Sequence, residues 1–368
     1  MRRNHIFVPR YKSASSLGDP SIKPEDSTES PLVIIIYVMV WISLLYLAFT
    51  FLLKAFDMKA YLYFSVVIAA SGILSSLLVG HPRSLRVFSI LSTVTVALLL
   101  EEALLNGLHP SLGVGLALVA ALALPLGGSV LRLNPDFRYA LQASGLMFAS
   151  RLVFIPFPPD YLKSSVFLPS AYALIIALVI AFLVVKRISL KTVGFTIGPY
   201  SMLRQIGVGC SVGLVSGLVE YFVLKPSPIK LAGDQLQMIL YVVIVMTVFV
   251  GLGEELLFRG LVQQSYQKVL PAWSAIVMVS IQFAVMHLSS LNPLELLFTY
   301  SMGVFFGYAF WKTRSLIVPV TAHSLGNINM FMLAAYPNLM LPKSAIVLSA
   351  LVPIVLLLCV VPWRRVLR

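Results

Sequence analysis

Long, nearly uncharged apolar runs recur along almost the whole 368-residue chain and limit what it can fold into. Several approach or exceed the roughly 18 residues that a membrane-spanning helix needs. Eleven runs are clear, at 32–53, 60–80, 85–105, 110–131, 166–185, 203–223, 237–262, 272–290, 294–311, 316–335 and 344–361. They lack the period-two alternation of a membrane barrel. Because backbone groups in lipid must be satisfied within the segment, the runs predict an all-α polytopic membrane protein.

A weaker apolar stretch at 139–157 raises the predicted number of membrane helices to about twelve. With only eleven crossings, the positively charged loops would change sides half-way along the chain. A twelfth crossing places most Lys and Arg residues on the cytoplasmic side, with both termini there as well. This crossing requires Arg151 to face protein or to reach a lipid head group.

The composition excludes several classes of protein. Hydrophobic residues make up 59% of the chain and charged residues only 11%, unlike a soluble globular protein. The net charge of +13 comes from Lys and Arg in short loops and at the two ends, which is typical of membrane topology and not of a nucleic-acid-binding patch. The two cysteines, Cys210 and Cys359, lie in apolar runs and give no sign of a disulfide framework.

Three regions follow from the pattern of polar residues. Residues 1–31 are polar and are predicted to form a disordered cytoplasmic tail. Residues 32–187 are predicted to form an N-terminal transmembrane bundle, and 188–368 a C-terminal transmembrane domain that contains most of the chemically interesting polar groups. In the second domain, three glycines at spacing four predict close packing of one helix face: Gly209, Gly213 and Gly217.

The stretch GEELLFRG, residues 253–260, places three charged side chains inside an apolar run. Each costs on the order of 2.5–3.5 kcal/mol to insert, so such residues normally face protein or water. Glu255 and Arg259 are four residues apart on one helix face and are expected to pair. Glu254 is rotated by roughly 100° and has no such partner on its own helix. It is therefore the carboxylate expected to be free for chemistry.

Two later apolar segments also carry a polar residue at a spacing of four. Phe283 precedes His287, and His323 precedes Asn327, so each pair shares a helix face. The three helices can therefore converge on one pocket, with Phe283 as part of its wall. By hydropathy alone, Glu254 falls in the inner half of its segment and His287 near the outer end of the next. Helix ends that differ by a few residues would remove this mismatch.

The order EExxxR, FxxxH and HxxxN on membrane helices resembles the CPBP family, named for CAAX proteases and bacteriocin-processing proteins and also called Abi. The family includes the type II CAAX prenyl endopeptidases. The resemblance covers about residues 237–335, so it implies a catalytic helix bundle in the C-terminal domain. It implies a hydrolase of the glutamic endopeptidase type that acts within the membrane.

The resemblance also implies a role for each motif residue. Glu254 would activate water, and His287 would assist it. His323 and Asn327 would stabilise the oxyanion. The remaining motif residues would be supporting and mainly architectural: Glu255, Arg259 and Phe283.

The substrate stays open between a prenylated CAAX-type C-terminus, a peptide leader and a membrane-protein fragment. GEELLFRG is more similar to the bacterial branches of the family, which implies a bacterial cytoplasmic membrane. The resemblance implies no cofactor. A zinc ion remains open, because a glutamate and two histidines are ligands that zinc accepts, although the HExxH spacing is absent.

Two functions of other classes remain open. About twelve membrane helices with intramembrane Glu, His and Arg are compatible with a proton-coupled secondary transporter. No internal repeat is visible, however, and the polar groups are concentrated in one third of the chain. The second alternative is a non-catalytic membrane partner or immunity protein that keeps the motif for stability.

The other acidic residues of the apolar segments are given structural interpretations. Glu101 and Glu102 are expected near the outer membrane interface, and Glu220 near a helix end at an interface. Asn292 and Glu295, on either side of a proline, are typical of a helix start, with Asn as the cap.

Overall fold

The computed structural model describes five stretches of the chain: residues 82–131, 133–154, 166–224, 235–290 and 292–335. Within these stretches the chain is helical with short connections and contains no strand, which confirms the predicted all-α class for this part. The predicted tail and the apolar runs at 32–53, 60–80 and 344–361 lie outside the described residues. The total of about twelve membrane helices therefore stays a prediction.

Nine helices follow one another in the described stretches, and each coincides with a predicted apolar segment. The first, α1, is Pro82–Ala103 and continues as the π-helical turn Leu104–Leu108. The others are α2 (Pro110–Val130), α3 (Pro135–Leu152), α4 (Phe167–Lys186), α5 (Met202–Leu224), α6 (from Gln235 to Tyr266), α7 (Ala272–Val285), α8 (Pro293–Thr313) and α9 (Ile317–Ala335).

Five segments among the described residues are long and apolar enough to cross a membrane. They are Val87–Asn106, Pro110–Val130, Phe167–Lys186, Met202–Phe222 and Leu236–Tyr266. Helix α7 is apolar but shorter. These helices confirm the coarser prediction of an integral membrane protein.

Helix α3 is the segment that the sequence predicted only weakly. It starts after Asn134, whose side chain accepts a hydrogen bond from the backbone N–H of Asp136. Arg151, in its last turn, forms an ion pair with Glu102 of α1 and therefore faces protein. Glu101 and Glu102 have no exposed surface. Their expected level near the outer membrane interface stays a prediction. The ion-pair partner of Glu102 lies on another helix, which spacing along one helix cannot reveal.

Helix α6 is longer than the predicted run, and its length decides the depth of Glu254 relative to His287. It ends at Tyr266, so Glu254 lies twelve residues before its end. Val285, two residues before His287, lies thirteen residues after the first residue of α7. The two positions are therefore separated from the turn between the helices by similar lengths of helix. The apparent difference in depth between Glu254 and His287 is thereby removed.

Two π-helical stretches flank the glutamate pair within α6. The helix consists of α-helical Gln235–Ile244, π-helical Val245–Gly251, α-helical Leu252–Glu255, π-helical Leu256–Gln263 and α-helical Gln264–Tyr266. Such wider turns are rare and are often found at functional sites.

Helices α5 and α9 pack closely along the predicted glycine face. A Cβ atom at Gly213 would lie 2.7 Å from the carbonyl oxygen of Ala322, and one at Gly209 would lie 2.7 Å from the Cβ atom of Thr321. Asn329 on α9 also donates to the carbonyl oxygen of Leu214 at 2.9 Å. The close packing predicted from spacing is confirmed, and it holds α9, which carries His323, against α5.

Hydrogen bonds join helices of the N-terminal half to α6 and α7. The hydroxyl of Tyr266 lies 2.8 Å from the Ser144 hydroxyl of α3. Gln282 on α7 donates to the Tyr266 hydroxyl at 3.1 Å and to Thr95 on α1 at 2.9 Å. The helices on both sides of the predicted domain boundary therefore share buried polar contacts.

The α5–α9 contact leads to a prediction on stability. Gly213→Ala places a methyl group against backbone and should destabilise the protein by about 1–3 kcal/mol. Gly207→Ala on the same helix has no atom within 4 Å of its new methyl group and serves as the control. Thermal unfolding of the detergent-solubilised variants measures both. Equal unfolding temperatures would contradict the packing argument.

Candidate active site

Glu255 and Arg259 form an ion pair on α6 with no exposed surface. Arg259 Nε lies 3.1 Å from Glu255 Oε2, which confirms the pairing predicted from the spacing. The guanidinium carbon lies 4.7 Å from the centroid of the Phe283 ring and 5.7 Å from that of Phe306. The two ring faces supply favourable contacts to a cation that water does not reach.

The second oxygen of Glu255 holds His323 of α9. His323 Nδ1 lies 2.8 Å from Glu255 Oε1, and because an ionised carboxylate only accepts, Nδ1 is the donor. The imidazole stacks on the ring of Phe306, with centroids 5.3 Å apart and an interplanar angle of 12°. His323 Nε2 then lies 3.8 Å from Glu254 Oε2, which is beyond hydrogen-bond length but within the range of an ion pair.

Glu254 points into the protein, with only 12% of its side chain exposed. Its Oε1 accepts a hydrogen bond from the hydroxyl of Tyr172 on α4. Its Oε2 makes no hydrogen bond to the described part of the chain. The spacing of charged residues predicted no partner for Glu254 on its own helix, and the structure supplies one in Tyr172, 82 residues earlier on α4. One carboxylate oxygen is therefore occupied and the other is available.

His287 follows the end of α7, and its ring is fixed by the preceding turn. Nδ1 lies 2.9 Å from the carbonyl oxygen of Phe283, so Nδ1 donates. The rings of Phe283 and His287 are also in contact, with centroids 4.9 Å apart. This arrangement leaves Nε2 for another partner, and in the neutral ring Nε2 is an acceptor.

Three of the four predicted catalytic residues share one cavity. His287, His323 and Asn327 all line it, and Phe283 forms part of its wall as predicted. The cavity has a volume of about 60 Å³, enough for several water molecules. Glu254 is not among the lining residues and contacts the cavity through His323. The other lining residues are Ser216, Glu220, Glu295, Phe298, Thr299, Met302, Phe306, Ala322 and Gly326.

The two carboxylates among these lining residues were not predicted as site residues. Glu220 lies on α5 and Glu295 in the first turn of α8. Asn292 caps α8 by accepting from the backbone N–H of Leu294 at 3.1 Å, so the predicted helix start is correct. Glu295 nevertheless also faces the cavity, and Glu220 faces the same cavity and not only an interface. The cost of burying a carboxylate in an apolar helix was the available signal.

The positions of the acidic and histidine side chains can be compared with those that a metal site requires. Among the described residues, no group of three or more His, Cys, Asp or Glu side chains is placed to hold a metal ion. Glu254 and Glu255 approach different nitrogens of His323 and do not converge on one point.

Residues 236–329 match a family model described as Rce1-like, type II CAAX prenyl endopeptidase Rce1-like. This match supports the CPBP/CAAX protease family for residues 236–329, called the CPBP segment below. The CPBP segment extends from α6 into α9 and contains all three motifs, so the resemblance seen in the sequence is confirmed for about a quarter of the chain. Searches of curated proteins and of solved structures returned no match.

The buried ion pair of the CPBP segment gives a second prediction. Arg259→Met removes the cation and leaves Glu255 buried without its partner, which should destabilise the protein by about 3–5 kcal/mol. The double variant Arg259→Met with Glu255→Gln removes both charges and should recover part of this loss. Yield of monodisperse protein and thermal unfolding in detergent measure the effect.

Arg204→Met is the matched control, because Arg204 is exposed on α5 and its change should leave stability near that of the wild type. An Arg259→Met protein that unfolds at the wild-type temperature would show that the pair contributes little to the fold.

Proposed function

We propose that this protein is an intramembrane endopeptidase of the type II CAAX prenyl endopeptidase kind. The supporting observation is that His287, His323 and Asn327 line one cavity while a carboxylate oxygen of Glu254 lies 3.8 Å from His323. These residues come from three helices of the CPBP segment. A carboxylate, two imidazoles and an amide around a cavity with room for water are the groups that peptide hydrolysis needs.

In the proposed mechanism, Glu254 is the general base. Because Glu254 does not line the cavity, the attacking water has to bind at the edge of the cavity beside His323, within reach of Glu254 Oε2. Oε2 takes a proton from this water as it attacks the carbonyl carbon of the scissile bond. His287 Nε2 accepts a hydrogen bond from the same water and orients it. When the tetrahedral intermediate breaks down, Glu254 returns the proton to the leaving amine.

His323 and Asn327 act on the negative charge that develops on the carbonyl oxygen. Asn327 donates through its amide. His323 donates through Nε2 in the protonated form of the ring, because its Nδ1 already donates to Glu255 and both nitrogens carry a hydrogen only in the imidazolium. Preorganised donors of this kind are worth about 2.7–4 kcal/mol each in a site with little water. Glu255 holds the His323 ring through Nδ1, and Arg259 holds Glu255, so both have supporting roles.

The cavity wall favours an apolar residue beside the cleaved bond. Phe283, Phe298, Met302 and Phe306 contribute apolar surface to it. We propose that the substrate is a peptide in the bilayer, either a prenylated CAAX-type C-terminus or a peptide leader. We also propose about twelve membrane helices in a bacterial cytoplasmic membrane, with both termini cytoplasmic and the division near residue 187.

The first test asks which carboxylate activates water. Glu254→Gln keeps the shape but removes the base, and should lower kcat by about 100-fold or more. Glu220→Gln and Glu295→Gln remove the two carboxylates that line the cavity and should cause smaller losses. Cleavage of farnesylated CAAX peptides, matched unprenylated peptides and leader peptides in proteoliposomes measures the rates, at equal amounts of folded protein.

The opposite result would contradict this assignment. If Glu254→Gln stays active while Glu220→Gln or Glu295→Gln is inactive, the carboxylate that lines the cavity is the base. Solute flux across the liposome without cleavage of any peptide would instead favour a secondary transporter.

A separate test concerns metal ions. We propose that Glu254 activates water without one, so dialysis against EDTA or 1,10-phenanthroline should leave the cleavage rate unchanged. Loss of activity that added Zn²⁺ restores would contradict this part of the mechanism.

A further inference from the structure

Tyr172 connects the N-terminal helices to the proposed base. It lies on α4, outside the matched segment 236–329, and its hydroxyl donates to Glu254 Oε1. The side chain is buried, with 9% of its surface exposed. The family motifs contain no residue in this position, and spacing along the sequence gives no indication of the contact.

The glycine that opens the GEELLFRG stretch makes room for this tyrosine. A Cβ atom at Gly253 would lie 3.1 Å from Tyr172 Cδ1 and 3.5 Å from Ile176 Cγ1. The distance to Tyr172 is tighter than ordinary van der Waals contact, so a side chain at this position would push the Tyr172 ring away from α6 by a few tenths of an ångström. Gly253, the residue before Glu254, therefore leaves space on α6 for the Tyr172 ring.

Packing against Phe154 also limits the movement of the ring. Phe154 contacts the Tyr172 ring edge-to-face, with centroids 5.6 Å apart and an interplanar angle of 76°. Arg151 lies 5.9 Å from the centroid of the Phe154 ring and is held by its ion pair with Glu102. A continuous series of contacts thus leads from a buried ion pair of the N-terminal helices to the Tyr172 hydroxyl.

The hydrogen bond determines which oxygen of Glu254 is available. The terminal torsion of a glutamate side chain is broad and roughly two-fold, so an unrestrained carboxylate presents either oxygen. With Oε1 occupied by Tyr172, Oε2 remains, and it is the oxygen 3.8 Å from His323 Nε2. A general base must first be within reach of the proton that it abstracts.

We propose that Tyr172 is a positioning residue that orients the Glu254 carboxylate for the hydrolysis described above. The inference rests on that proposed function and extends it beyond the matched segment. It assigns a role in the reaction to the N-terminal helices: they supply the hydroxyl that fixes the base.

Tyr172→Phe tests the inference by removing one oxygen atom and keeping the ring. A lost hydrogen bond to a charged group corresponds to about a tenfold to hundredfold decrease in rate, and the decrease should fall on kcat with KM unchanged. Rates are measured in proteoliposomes with whichever peptide the wild-type protein cleaves. Unchanged kcat, or a loss that appears in KM alone, would overturn the inference.

Tyr266→Phe is the matched control. Tyr266 has no exposed surface and its hydroxyl bonds to Ser144 and Gln282, away from Glu254. Its loss should affect the unfolding temperature and leave kcat unchanged. If Tyr172→Phe lowers kcat only as far as Tyr266→Phe does, in proportion to lost stability, Tyr172 has a structural role alone.

A double-mutant cycle on thermal unfolding tests the contact independently of cleavage. Tyr172→Phe and Glu254→Gln should be non-additive, whereas Tyr266→Phe and Glu254→Gln should be additive. Additive effects in the first pair would overturn the inference. Full activity of Glu254→Gln, with the first pair still coupled, would instead reject the proposed base while retaining the contact.

Discussion

The fully buried ion pair between Glu255 and Arg259 is the interaction on which the site depends. Both side chains lack exposed surface, so each needs favourable contacts from neighbouring protein groups. An unpaired buried charge is far more costly than a paired one. Arg259 is surrounded by aromatic rings from α7 and α8, including Phe283 and Phe306. The remaining oxygen of Glu255 accepts from His323 on α9. One pair on α6 thereby fixes the positions of the other three helices of the CPBP segment.

The same kind of buried hydrogen bond holds both imidazole rings in place. Each imidazole donates through Nδ1 to an acceptor that does not itself take part in the proposed chemistry: Glu255 for His323, and the Phe283 carbonyl for His287. The Nε2 atoms are thereby left for substrate and water. Groups held in this way need no reorganisation during the reaction, which is the main advantage of a preorganised polar site.

Much of the fold follows from local pattern. The apolar runs predicted each of the described helices, because a helix in lipid needs only length and composition. The spacing of four predicted both the Glu255–Arg259 pair and the glycine face that begins at Gly209, since such residues are neighbours on one helix. The ends of helices were less accurate, and the end of α6 at Tyr266 decided whether Glu254 and His287 lie at one level.

The sequence by itself determined the helical membrane class, the motif residues and their grouping on three helices, because these depend on periodicity within a segment. Only the tertiary structure decided which side chains from different helices meet. It gave Glu254 a hydroxyl partner in Tyr172, paired Arg151 with Glu102, and brought the distant Glu220 to the cavity. Contacts of this kind depend on how helices pack against one another, and the spacing of residues along a single helix carries no information about that packing.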